Sequence, residues 1–145
     1  MTIPPYKTIL VPTDGSDYSY HAAEHAVYLA KSLGSKIYIL NVVDTSLAFH
    51  AGIHMSESKT EMESSAKEAT DKIRALCDAN GVACEETIVK GKPASAIVEF
   101  ATKINADCIV IGSIGVSAIE EVFVGSVSKI VLKNARCPVL MVRRA

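Results

Sequence analysis

The sequence predicts an α/β domain: a parallel sheet with helices on both faces. Three observations carry that expectation. Short apolar runs alternate with amphipathic stretches along the chain, in the order β-α-β-α-β-α-β-α-β. The runs ILV, IYIL and CIVI are apolar without a break, as strands covered on both sides are. The 145 residues, 49% hydrophobic and 21% charged, suit one domain over 1–145 with a sizeable core. Parallel strands linked by right-handed helical crossovers give a single-domain three-layer α/β/α sandwich.

Each element has its own signal. Tyr6–Pro12 (YKTILVP) is a short β-rich run. Tyr18–Leu33 places Ala22, Ala26, Leu29, Ala30 and Leu33 at helical spacing, stops at Gly34, and has Ser16 or Asp17 as a cap. Lys36–Val43 (KIYILNVV) is the second strand. Residues 46–56 are small and polar without a period and read as a loop that could fold over a ligand. Glu57–Ala79 is helical with a charged outer face and stops at Asn80-Gly81. Val82–Val89 alternates as a third strand. Pro93 suits the first turn of a helix over Ala94–Ile104. Asp107–Ile111 (DCIVI), a helix over Gly125–Ala135, and Pro138–Val142 (PVLMV) complete the series.

Bulk chemistry narrows the function. A formal net charge of −1, with acids and bases intermixed, lacks the basic footprint of a nucleic-acid binder and offers no polybasic membrane segment. The apolar runs are too short to span a bilayer, and MTIPPYK lacks a signal-peptide core, so a cytoplasmic location is expected. Cys77, Cys84, Cys108 and Cys137 form no C-x-x-C pair and read as buried or incidental thiols. His21 and His25 lie four apart, a spacing that can hold a metal. With no third ligand evident they read as solvated or partly packed, as do His50 and His54, and no metal-ligating residues are assigned.

In an open parallel sheet, ligands bind beyond the carboxyl ends of the strands, where strand order reverses. That rule selects the turn Pro12–Ser16, the segment Val42–Asp44, the loop Lys90–Pro93 and the glycine-rich stretch 112–129. Lys90 and Lys92 read as solvated. The glycine stretch is neither a Walker A loop nor a dinucleotide fingerprint. Its glycines let backbone N–H groups approach a ligand, and Gly125-Ser126-Val127-Ser128 opens a helix whose unpaired N–H groups favour an anion. Ser126 and Ser128 can add hydroxyl donors. On glycine chemistry alone, a plain strand-to-helix loop is as good a reading.

The spacing of Gly112, Gly115, Gly125 and Ser126 resembles the G-x2-G-x9-G-[ST] nucleotide loop of ATP-binding members of the universal stress protein family. KTILVPTDGSDYS, GKPASAIVEFA and CPVLMV resemble that family as well, so the likeness covers nearly the whole chain. The resemblance implies a sheet of order 3-2-1-4-5, of the adenine nucleotide alpha hydrolase-like type. It places adenine near Pro12, Thr13, Asp14 and Val42. It runs the ribose and phosphates over Ile111, Gly112, Ser113, Gly115, Gly125, Ser126, Val127 and Ser128. The ligand implied is ATP, with AMP or ADP as alternatives, and Mg or Mn held through the phosphates. Asp14 reads as a ligand contact in this setting, or as an Asx-turn residue on its own.

One departure stands out. No Lys or Arg occurs between residue 104 and Lys129, and Glu120 and Glu121 put negative charge in the spacer. Weaker ATP affinity is expected, and an unchanged affinity in the double Gln variant would count against this. No residue is assigned to catalysis: a Walker-type lysine is missing, so at most weak hydrolysis is expected. The favoured function is a nucleotide-dependent regulatory or stress-response switch acting on an unknown downstream protein. The alternatives are a dimeric interaction module without nucleotide, or a slow ATPase. The apolar strand 138–142, at a sheet edge in the implied order, invites a homodimer.

Overall fold

A computed structural model of the chain describes residues 5–44, 55–113 and 125–143. Its elements in order are β1 (Thr8–Pro12), α1 (Asp17–Leu33), β2 (Lys36–Val43), α2 (Met55–Ala79), β3 (Cys84–Lys90), α3 (Pro93–Lys103), β4 (Cys108–Gly112), α4 (Ser126–Asn134) and β5 (Val139–Val142). The five strands form one sheet of order β3-β2-β1-β4-β5, and every pairing is parallel. Strand order therefore reverses between β1 and β4, as the resemblance implies.

The two-residue period of β1 splits the core. Ile9 and Val11 face α1 and α2 and pack with Ala22, Ala26, Ile39 and Ile73. Leu10 faces α3 and α4 and packs with Leu40, Ile97, Ile109 and Val131. Alanines at 22, 23, 26 and 30 let α1 lie close to the sheet, and all four are buried. The Asp107 carboxylate accepts hydrogen bonds from the N–H groups of Lys7 and Thr8, both at 2.9 Å, and so ties the start of β1 to the start of β4.

Element ends differ from expectation by a few residues, each for a local reason. Ser16, and not Asp17, caps α1, because its side chain accepts the Ser19 N–H at 3.2 Å. Gly34 stops the helix in the left-handed region, at φ 73°. Strand β3 starts at Cys84 and not at Val82. The Val82 N–H is still bonded to the Cys77 carbonyl at 2.9 Å, in the turn that leaves α2. Helix α2 begins at Met55, so only the earlier part of the expected loop, residues 46–54, lies outside the described residues.

All four cysteines are free. Burial pushes the Cys77 thiol up to about 12, which makes it an inert core group.

Candidate functional site

The carboxyl ends of β1 and β4 meet at the reversal of strand order. Ile9 pairs with Cys108 and Leu10 with Ile109, so the same register run forward brings Thr13 level with Gly112. Two loops thus face one another, although they are far apart in sequence.

The first loop is held from three sides. The Thr13 N–H donates to the Leu40 carbonyl at 2.8 Å, which carries the sheet ladder one residue past β1. The buried Asn41 side chain donates through Nδ2 to the Thr13 carbonyl at 2.9 Å. The Thr13 hydroxyl lies 2.9 Å from that of Ser19 and accepts the Gly15 N–H at 3.1 Å. Gly15 turns the chain at φ 83°, a left-handed conformation that side chains rarely adopt. Thr13 is buried, while Asp14 projects outward. Asp14 Oδ1 accepts the Ser16 N–H at 3.0 Å, so the Asx-turn geometry is present.

The second loop is closed at its root. The Ser113 N–H donates to the Val142 carbonyl at 2.9 Å, and the Gly125 N–H donates to the Ser113 carbonyl at 2.7 Å. The Ser128 hydroxyl donates to the Gly112 carbonyl at 2.6 Å. A hydroxyl has one proton, so Ser128 fastens α4 to the end of β4, and its side chain is not the outward donor expected of it. Gly125 occupies the cap position of α4 with extended φ −61° and ψ 154°, and it supplies no side-chain cap. The N–H groups of Ser126, Val127 and Ser128 therefore form a first turn without a side-chain cap from Gly125, at the positive end of the helix dipole. Ser126 is exposed.

The structure thus gathers Pro12, Thr13, Asp14, Ile111, Gly112, Ser113, Gly125, Ser126, Val127 and Ser128 around the switch point. Val42 lies one strand over, paired with Val89. Gly115, the spacer residues Glu120 and Glu121, and the loop histidines His50 and His54 lie outside the described residues.

Two features escaped the sequence reading. Asn41 was one polar residue inside the run KIYILNVV, and that interruption was the available signal. The sequence places Lys92 in a solvated loop. It is exposed, but it also lines a groove of about 490 Å³ between α3 and α4 together with Pro93, Val98, Ser126 and Val127. Lys92 and the first turn of α4 thus line one groove. Lys90 instead pairs with Glu63 at 3.2 Å. Among the described residues no group of three or more His, Cys, Asp or Glu is placed to hold an ion, and no helix is long and apolar enough to cross a membrane.

Comparison with known proteins gives a consistent result. The family model described as "Universal stress protein family" matches residues 5–143. The universal stress protein MJ0531 of Methanocaldococcus jannaschii is 39% identical over 141 residues, covering 96% of this chain and 83% of that protein. Among solved structures, the hypothetical protein MJ0577 superposes with a TM-score of 0.87 at 30% identity, over 98% of this chain and 99% of the other. A universal stress protein in complex with cAMP superposes at 0.70, also at 30% identity, over 97% and 98% of the two chains.

Proposed function

This chain belongs to the universal stress protein family, and we propose that it binds an adenine nucleotide at the β1–β4 switch point and acts as a nucleotide-dependent regulatory switch. One observation carries the proposal. The left-handed turn after β1 and the glycine-headed N-terminus of α4 converge on the same end of the sheet. A similar protein solved with cAMP supports adenine as the base.

The residues present fit such a ligand. The first turn of α4 offers backbone N–H groups to phosphate oxygens, and Gly112 and Gly125 leave the approach open. Pro12, Thr13 and Val42 would supply the adenine end, with Asp14 beside the ribose or base. Ile111, Ser113 and Gly115 would follow the ribose and phosphates. ATP is the favoured ligand, with AMP and ADP as alternatives. A Mg or Mn ion would take most of its ligands from phosphate oxygens and water, as a hard cation does. Lys92 would draw the phosphates toward the α3 side by its charge.

Regulation is placed ahead of turnover. Phosphoryl transfer needs a positioned base and cationic stabilisation of the moving group. The described residues around the site offer Asp14, already engaged with Ser16, and the flexible Lys92. At most weak hydrolysis is expected from that set. A cytoplasmic location and a homodimer through 138–142 belong to the same reading.

The test is calorimetric titration of nucleotide-stripped protein with ATP, with and without magnesium. Saturable binding supports the switch. No heat up to millimolar ATP overturns it and leaves an interaction module that works without nucleotide.

A further inference from the structure

Helix α1, which leaves the turn after β1, carries the pattern His-x-x-Glu-His at residues 21 to 25. Residues three and four apart in a helix share one face, so His21, Glu24 and His25 form a cluster. Glu24 and His25 are exposed and His21 is half-buried. The two imidazole centroids stand 4.9 Å apart with their planes at 87°. His21 Nδ1 lies 3.4 Å from Glu24 Oε1, a long contact.

We propose that this outward face of α1 holds one divalent transition-metal ion through the imidazoles of His21 and His25, with the Glu24 carboxylate orienting His21. Spacing is the first reason: imidazoles one helical turn apart can reach a common ion, the geometry used by helical zinc motifs. The second reason is the carboxylate. A proton on His21 Nδ1 directed at Glu24 leaves Nε2 with its lone pair free, and metal-binding histidines are held in this way. The edge-to-face rings need one adjustment. Turning the exposed His25 ring about χ2, a broad torsion, brings its lone pair onto the ion shared with His21. Asp17, one turn earlier on the helix, adds negative charge to the face.

The chemistry selects the ion class. Imidazole pairs favour nickel, copper and zinc over magnesium. Among the described residues no third His, Cys, Asp or Glu joins as a ligand group, so water fills the remaining positions. Such a partial chelate exchanges its ion readily, as suits a responsive site more than a structural one. None of its residues is among those gathered at the switch point.

The experiment is calorimetric titration of the nucleotide-free full chain with Ni²⁺ alone, paired with NMR of the imidazole protons. The expected result is saturable binding of one ion per chain, with paramagnetic broadening of the His21 and His25 signals. Either His21→Gln or His25→Gln should weaken binding at least about tenfold, and Glu24→Gln, which keeps both imidazoles, should weaken it by about the same factor. The double variant His50→Gln/His54→Gln should leave it unchanged. Binding that survives both α1 histidine variants, or vanishes with the double variant, overturns the proposal. So does a lack of saturation below millimolar Ni²⁺.

Discussion

Thr13 shows how much a single residue can coordinate. Its N–H, hydroxyl and carbonyl are all engaged, the last by the buried Asn41 Nδ2. Replacing Asn41 by Leu leaves that carbonyl without its partner. Loss of a buried hydrogen bond of this kind costs about 1–3 kcal/mol, and a lower urea midpoint should report it. ATP affinity should fall in the same variant, because the turn after β1 loses its brace. A variant with wild-type midpoint and affinity would show that Asn41 braces nothing. Gly15→Ala separates two causes of strain. The added methyl would meet Ala69 Cβ at 3.6 Å, an ordinary contact, so the penalty comes from the left-handed backbone. About 1–2 kcal/mol is expected, again from the urea midpoint, and a loss well beyond that would point to a clash instead.

At the level of elements, the outer edge of the sheet is joined to α2 by charge. Glu86 on β3 is 11% exposed in its side chain and receives Lys67 at 2.9 Å, Thr70 at 3.1 Å and Arg74. Burial alone would raise its pKa. The hydrogen bonds from Lys67, Arg74 and Thr70 outweigh burial and bring it down to about 2. The unfolded chain, with Glu86 near its ordinary value of 4.5, therefore binds more protons than the native state between these two values. Its contribution is complete above the unfolded value and is lost as pH falls toward 2. Glu86→Gln should cost about 1–2 kcal/mol at neutral pH. The gap to wild type should close as the urea midpoints are followed into acid, and a gap independent of pH would remove Glu86 from the linkage.

At the level of the whole molecule, β5 ends the sheet beside β4, and its free edge is the surface from which a homodimer is expected. Its residues are not equivalent. Val142 is 7% exposed and packs with Ile9 and Val110, so Val142→Asp would damage the core before it tested an interface. Leu140 is 40% exposed and lies outside both buried clusters, so its replacement tests the edge with less damage to the core. Leu140→Lys should shift the protein toward monomer in sedimentation velocity while its melting cooperativity is preserved. A dimer that persists would place the interface elsewhere.

The sheet order came from family resemblance and stands in the structure. The alternation of elements came from the residues themselves. The alternation was legible because it rests on short-range signals: the unbroken apolar runs in Thr8–Pro12 and Cys108–Gly112, the alanine stripe of α1, and the stop at Gly34. Each is encoded within a few neighbouring residues, where backbone preference and burial speak together. The contacts that shape the site are of another kind. Asn41 reaches Thr13 across 28 positions, and Ser128 reaches Gly112 across 16. In both cases a side chain meets a backbone carbonyl, which every residue has, so sequence leaves no mark on the acceptor. Lys92 likewise came to line one groove with α4 because α3 and α4 pack side by side on one face of the sheet. A hydrogen-bond partner is selected by proximity after folding, and proximity between distant segments belongs to the packed sheet as a whole.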